Sequence, residues 1–176
     1  MAFADPLANL QQVNLTPGMT VVDFGAGSGA YTIPAARLVA PEGRVYAVEI
    51  QKDLLETIKK AAEAEHLGGN VNLIWGDVEQ QGGVGLADNL ADIVIISNVL
   101  FQARSMYTLA LEAKRILKQG GRIMVIDWEG SFDNLGPKAE DIISADEVKK
   151  TFGSTGLTFL SDFPAGEHHY GLIFSK

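Results

Sequence analysis

Residues 21–33 read VVDFGAGSGAYTI, an apolar run that leads directly into a glycine-rich turn. The apolar part is typical of a buried strand, and Asp23 is its one charged residue. Three glycines separated by small residues follow it, at positions Gly25, Gly27 and Gly29. Because glycine costs backbone entropy, such a turn indicates that a ligand approaches the main chain closely. The stretch therefore predicts a strand, a ligand-binding turn and a helix.

Similar apolar runs recur along the chain, with helix-like stretches between them. Near-continuous Val and Ile content is typical of parallel strands covered on both faces. The five predicted strands are TVVDF (20–24), RVYAVEI (44–50), VNLIW (71–75), DIVIIS (92–97) and RIMVIDW (122–128). The predicted helices lie in 30–40, 52–67, 107–121 and 144–156.

The end of the chain follows a different pattern. LTFLSDF (157–163) and EHHYGLIFSK (167–176), separated by PAG, predict an antiparallel hairpin. Together with the alternating strands and helices, this predicts an α/β fold. We expect a three-layer, Rossmann-like sandwich with a mostly parallel seven-stranded sheet and a C-terminal antiparallel β-hairpin.

Length and composition restrict the function classes. The chain has 176 residues, which fits one domain over 1–176 with a short helical segment at 1–18. A net charge of −8 argues against nucleic acid as a partner. The absence of cysteine excludes disulfides, thiolate nucleophiles and Cys-ligated metals, and we predict no metal site. Without a signal peptide or an apolar run long enough to span a membrane, the predicted location is cytoplasmic.

The glycine turn alone fits two ligand classes. GAGSGA matches G-x-G-x-G and also G-x-G-x-x-A, the fingerprint of nicotinamide dinucleotides. Asp23 would repel a pyrophosphate but suits a positive amino group. Glu49 ends the second strand, where an acid accepts from both ribose hydroxyls, and Asp77 after the third strand suits an adenine amino group. Although each acid alone is also typical of a turn cap, together they describe an adenosine that carries an amino acid.

With these features the chain resembles the class I S-adenosylmethionine-dependent methyltransferases, of the broad type that includes ubiquinone-biosynthesis and small-molecule enzymes. The matching stretches are VVDFGAGSG, VYAVEI, IWGDV, LADIVIISNVL and AKRILKQGGRIMVIDW. The resemblance covers residues 15–176. It implies S-adenosyl-L-methionine as cofactor and S-adenosyl-L-homocysteine as product, but its motifs are not specific for a substrate.

The resemblance also implies roles at the methionine end of the cofactor. Asp23 would face the amino group, and Asn98, just past the fourth strand, would lie near the methionine moiety. The residues that would let this moiety approach the backbone are Gly25, Ala26, Gly27 and Gly29.

At the nucleoside end, the resemblance implies four further contacts. Glu49 would hold the ribose, and Ile50 would pack on the adenine. Asp77 and Val78 would contact the adenine edge.

The acceptor side is less defined. Displacement at a sulfonium mainly needs positioning, and a base only when the acceptor holds its proton tightly, so we predict no specific catalytic residue. The substrate-side candidates are Phe101, Gln102, Asp127 and Trp128. The alternative is that Asp127 caps a loop and Trp128 fills the core edge. His168 and His169 point to opposite faces of a strand and are predicted to be structural.

The sequence thus predicts a methyltransferase that acts on a small or medium organic acceptor. Loop 129–143 would act as a lid, since only a short segment precedes the first strand. The strand-four region reads SNVLFQ and lacks the NPPY or DPPY tetrad of amino-group methylators of bases and glutamine. Methylation of a protein or RNA stays open, as does a cofactor-binding scaffold without turnover. The oligomeric state is not predicted.

Overall fold

The computed structural model describes residues 4–132 and 136–176. The strands are β1 (Thr20–Phe24), β2 (Arg44–Glu49), β3 (Val71–Trp75), β4 (Ala91–Ser97), β5 (Leu117–Trp128), β6 (Thr158–Gly166) and β7 (His169–Ser175). The helices are α1 (Pro6–Gln11), α2 (Thr32–Val39), α3 (Lys52–Ala64), α4 (Met106–Ile116) and α5 (Ala145–Ser154).

These strands form one sheet in the order β3-β2-β1-β4-β5-β7-β6. The first five strands pair in parallel, whereas β7 is antiparallel to both β5 and β6. This arrangement confirms the predicted fold class, including the antiparallel hairpin. The strand order reverses at β1 and β4, and in open α/β sheets ligands bind beyond the carboxyl ends of the strands at such a point.

Two apolar clusters cover the opposite faces of the sheet. Val21 packs with residues of α1, α2 and α3, whereas its neighbour Val22 packs with residues of α4 and α5. This alternation follows from the two-residue period of a strand, which places successive side chains on opposite faces. Both faces of the parallel strands are therefore buried, and the fold has three layers.

The hairpin turn lies later than the sequence predicts. PAG (164–166) was expected to be the turn, but β6 continues through Gly166, and the turn is formed by Glu167 and His168. Pro164 is paired opposite Tyr170 within the strand. This is tolerated because β6 is an edge strand of the sheet, where a missing N–H is least costly.

The boundary between α4 and β5 also differs from the prediction. The helix expected to reach Gly121 ends at Ile116, and the register between β4 and β5 shifts between the pairs Ala91–Leu117 and Ile93–Arg122. Gly120, with φ +75°, adopts a left-handed conformation within this bulge. The two glycines thus form an irregular strand entry rather than a helix end.

The N-terminal helix packs on the same face of the sheet as α2. Helix α1 lies inside the predicted helical segment 1–18, of which residues 1–3 are outside the described residues. The extent of the domain over 1–176 stays a prediction. None of the helices in residues 4–132 and 136–176 has the length and apolarity needed to cross a membrane.

Candidate cofactor site

A cavity of about 460 Å³ lies at the carboxyl ends of β1, β2 and β4 and beside the loop after β3. Every predicted cofactor residue except Gly29 lines it, and among the substrate-side candidates it includes Gln102. The lining residues from that prediction are Asp23, Gly25, Ala26, Gly27, Glu49, Ile50, Asp77, Val78 and Asn98. The structure therefore brings residues from four separate strand ends into one cavity.

Glycine is required at the three positions of the turn for different structural reasons. All have positive φ, but a Cβ on Gly25 would lie 2.6 Å from Cγ2 of Val99, and one on Gly29 would lie 3.1 Å from Cγ1 of Ile58. A Cβ on Gly27 would meet nothing within 4 Å. Gly25 and Gly29 thus allow close packing inside the protein, whereas Gly27 leaves room for a ligand in the cavity.

Asp23 contributes a buried carboxylate to the cavity wall. Its side chain is 2% exposed, and Oδ2 accepts a hydrogen bond of 2.6 Å from the Thr32 hydroxyl. Burial, aided by the negative charge of Glu49, raises the pKa of Asp23 to about 6. A positively charged group in the cavity would favour the ionised carboxylate, which is the chemistry expected for an ammonium ligand.

The carboxylate of Glu49 is fixed by hydrogen bonds from two segments of backbone. Oε2 accepts from the N–H of Gly27 at 2.9 Å, while Oε1 accepts from those of Ile50 at 2.9 Å and Gln51 at 3.0 Å. These bonds join the glycine turn to the start of α3. Because a carboxylate offers about four acceptor positions, it retains capacity for a ligand hydroxyl.

The loop after β3 lies beside an exposed apolar residue. Ile50 is 60% exposed, and its carbonyl accepts from the indole N–H of Trp75 at 2.9 Å. Oδ1 of Asp77 accepts from the N–H of Glu79 at 2.9 Å, which orients the carboxylate beside the cavity. The arrangement places an apolar surface and an acceptor oxygen where a heterocyclic base would need both.

Asn98 carries an unpaired polar atom. Its Oδ1 is buried and has no hydrogen-bond partner among the described residues, and its backbone is left-handed, with φ +56°. The main chain is held by bonds to the carbonyl of Ile126 at 2.9 Å and from Nε2 of Gln102 at 3.2 Å. Since an unsatisfied buried acceptor is costly, its persistence here is typical of a group that pairs with a ligand.

Asp127 supports the loop that follows β4. It is 1% exposed, with Oδ2 accepting from the N–H of Leu100 at 2.8 Å and Oδ1 from that of Trp128 at 2.8 Å. Burial raises the pKa of Asp127 to about 6. Phe101, Asp127 and Trp128 do not line the cavity, so their contact with an acceptor stays a prediction.

The predicted lid loop 129–143 packs on aromatic side chains near this edge of the sheet. The rings of Phe132 and His168 stack with centroids 3.9 Å apart, and those of Trp128 and His169 lie 4.3 Å apart. A Cβ on Gly136 would lie 2.6 Å from the Trp128 ring. Residues 133–135 of the loop are outside the described residues, and its role as a lid stays a prediction.

Sequence reasoning missed hydroxyl groups at this site. Thr32 bonds to Asp23, and both Tyr31 and Ser97 line the cavity. The signal was present in the Tyr-Thr pair that directly follows the glycine turn, since hydroxyls at a helix start lie close to the preceding strand end.

The family of the chain follows from a comparison with protein-family models. Residues 15–158 match the model described as "Methyltransferase domain". The chain belongs to the class I S-adenosylmethionine-dependent methyltransferases. This confirms the resemblance that the sequence motifs indicated.

Curated relatives of this methyltransferase include ubiquinone/menaquinone biosynthesis C-methyltransferases UbiE. The enzyme from Shewanella pealeana is 26% identical over 135 residues, covering 77% of this chain and 53% of the relative. That from Pseudomonas aeruginosa is 30% identical over 127 residues, covering 72% and 48%. The chain therefore spans about half the length of the curated relatives it matches.

Solved structures show the same fold. A SAM-dependent methyltransferase from Aquifex aeolicus superimposes with a TM-score of 0.88 at 24% identity, covering 98% of this chain and 89% of that one. The [4+2]-cyclase SpnF gives a TM-score of 0.82 at 14% identity, covering 97% and 80%. One fold thus occurs with different reactions in these neighbours, and the reaction must be argued from the site.

Proposed function

We propose that this methyltransferase binds S-adenosylmethionine in the cavity and transfers its methyl group to a small or medium organic acceptor. The single observation that supports this most is the convergence of Asp23, Glu49 and Asp77 on one cavity. These acids end or follow three successive strands, and each suits one hydrogen-donating part of the cofactor.

The residues present fit this cofactor. The buried carboxylate of Asp23 suits an ammonium group, and the fixed carboxylate of Glu49 suits the ribose hydroxyls. Gly27 leaves open space beside the backbone, and the unpaired Oδ1 of Asn98 can accept a hydrogen bond from a ligand. Exposed Ile50 offers an apolar surface to the adenine.

The chain contributes positioning rather than covalent chemistry. Bound S-adenosylmethionine would supply a methyl group on a sulfonium: in-line displacement would form the bond from the acceptor to the methyl group, break the S–CH3 bond and release the neutral thioether S-adenosylhomocysteine. Asp23 and Glu49 are fixed carboxylates in the cavity wall, while Asp127 fixes the loop that carries Asn98 and Gln102. Orientation of this kind lowers a barrier by as much as roughly 7–11 kcal/mol.

Carbon is the acceptor atom that we propose first. The curated relatives from Shewanella pealeana and Pseudomonas aeruginosa are named C-methyltransferases of ubiquinone and menaquinone biosynthesis. We therefore propose an electron-rich aromatic or enolic acceptor, which would lose one proton to water as the new carbon–carbon bond replaces it. A cytoplasmic location stays a prediction.

Transfer of a labelled methyl group tests the reaction directly. We would incubate the protein with S-adenosylmethionine that carries an isotopically labelled methyl and with a panel of hydroquinones, phenols, enols and amines. Label is expected in a carbon-methylated product, and an Asp23→Asn variant should form much less of it. Tight cofactor binding without label in any acceptor would favour the scaffold alternative.

Asp23→Asn should stabilise the protein while it weakens the site. Because the folded-state pKa of Asp23 is raised to about 6, its ionisation lowers folding stability as pH rises from about 4 to about 6. Asparagine removes a cost of up to about 3 kcal/mol at pH 7.5 and little at pH 4. Thermal melting at both pH values checks this, and a lower melting temperature at pH 7.5 would contradict it.

The same carboxylate predicts a pH dependence of cofactor binding. Only ionised Asp23 pairs with an ammonium group, so affinity should rise as pH increases from 5 to 7. Thr32→Val removes a hydrogen bond that lowers the pKa of Asp23, and it should shift the midpoint to higher pH. Titrations of S-adenosylmethionine at half-unit pH intervals measure both midpoints; coincident midpoints would show that Thr32 does not act on Asp23.

A further inference from the structure

A buried polar connection joins helix α1 to the wall of the cavity. Asn9 on α1 is 4% exposed, and its Nδ2 donates to the hydroxyl of Tyr31 and to the carbonyl of Ala165, both at 2.9 Å. These bonds use both hydrogens of the amide, so its orientation is fixed. Tyr31 is itself buried and lines the cavity.

Tyr31 and Asp23 line the same cavity. The Tyr31 hydroxyl interacts with the side chain of Ser97, another lining residue, and it is close enough to Asp23 to be affected by its charge. Burial, and to a smaller degree that charge, raises the pKa of Tyr31, so the hydroxyl keeps its proton. Asn9 donates to this oxygen, and the hydroxyl hydrogen can therefore point only toward other acceptors.

Packing alone does not explain a polar residue at position 9. Leu10 and Val13 are buried in the apolar cluster beside α2 and already attach α1 to the domain. An apolar side chain at position 9 would add to that cluster, whereas a buried amide is tolerated only when it is hydrogen-bonded. The two bonds of Asn9 therefore indicate a specific role, which is to fix the orientation of the Tyr31 hydroxyl and the Ala165 carbonyl.

We infer that Asn9 is a positioning residue of the cofactor site, which orients the Tyr31 hydroxyl where the amino-acid end of S-adenosylmethionine binds. Helix α1 thereby takes part in binding through residue 9, although the cavity lining contains no residue of that helix. This inference rests on the proposed function. It predicts that Asn9 and Tyr31 act on affinity as one unit.

Calorimetric titration with S-adenosylhomocysteine tests the inference on the full chain. Asn9→Ala and Tyr31→Phe should each weaken binding about three- to tenfold, the effect of losing one hydrogen bond. The double variant should bind no more weakly than the weaker single variant, because both changes remove the same oriented hydroxyl. Gln11→Ala, an exposed position on the same helix, should bind like the wild type.

The outcomes separate the inference from the proposed function. A lower melting temperature of Asn9→Ala with unchanged affinity would show a purely structural role and overturn the inference. Additive losses in the double variant would also overturn it, since Asn9 would then not act through Tyr31. If Asn9→Ala does not fold, unchanged affinity of Tyr31→Phe overturns it. Failure of the wild type to bind this ligand or S-adenosylmethionine would instead overturn the proposed function.

Discussion

Glu49→Ala is expected to weaken the binding of S-adenosylmethionine by about ten- to a hundredfold. A hydrogen bond to a charged acceptor contributes about 1.5–3 kcal/mol, and a ribose hydroxyl loses the acceptor position that Glu49 still offers. The variant also removes the group that joins the N–H of Gly27 to those of Ile50 and Gln51. Calorimetry at pH 7.5 measures the loss directly.

Two companion variants make this result specific. Glu56→Ala removes an exposed glutamate from α3 and should leave affinity unchanged. Glu49→Gln keeps the shape of the side chain and one acceptor oxygen, so its loss of affinity should lie between those of Glu49→Ala and Glu56→Ala. Wild-type affinity in a folded Glu49→Ala protein would show that this carboxylate does not bind the ligand.

Gly27→Ala should abolish most cofactor binding while the protein remains folded. A Cβ at this position points into open space of the cavity, with nothing within 4 Å, and would occupy the room that we assign to the ligand. The left-handed backbone, with φ +55°, adds a strain of roughly 1–2 kcal/mol. Titration and thermal melting of the same preparation distinguish lost binding from lost folding.

Gly85→Ala is the matched control for this backbone strain. Gly85 has φ +64° and an equally open Cβ direction, but it does not line the cavity. Both variants should therefore lose similar stability, and only Gly27→Ala should lose affinity. Equal affinities of the two variants would contradict a ligand beside Gly27. Gly25→Ala should destabilise more than either, since its Cβ would lie 2.6 Å from Val99.

The sheet and the cavity-lining acids could be predicted because both depend on short-range patterns. Near-continuous Val and Ile runs identify parallel strands wherever both faces are buried, and residues at strand ends meet at one edge. The shared location of Asp23, Glu49 and Asp77 therefore followed from their positions at or just after the ends of predicted parallel strands. Their presence in one cavity agrees with that reasoning.

The features that escaped prediction depend on tertiary contacts. The bond between Asn9 and Tyr31 links residues 22 positions apart, and Asn9 also reaches Ala165 at the far end of the chain. Gly25 and Gly29 were assigned to the ligand, yet packing against Val99 and Ile58 already requires them. A local sequence pattern does not indicate contacts between residues that are distant in the sequence.

Strand boundaries show the same limit. The local sequence predicts a turn at Pro164 because proline commonly marks turns, but the outer edge of the sheet accommodates it inside β6. The pair Gly120–Gly121 predicts a helix end, whereas it lies in an irregular segment at the start of β5. In both cases the position of the strand within the sheet overrode local propensity.

Calorimetric titration of the wild-type protein with S-adenosylmethionine, S-adenosylhomocysteine and NAD tests the assignment of the cavity most directly. We expect the two methionine-derived ligands to bind with dissociation constants in the micromolar range, and NAD not to bind, because Asp23 disfavours a pyrophosphate beside the glycine turn. Binding of NAD in preference to both, or of none of the three, would contradict a cavity built for S-adenosylmethionine.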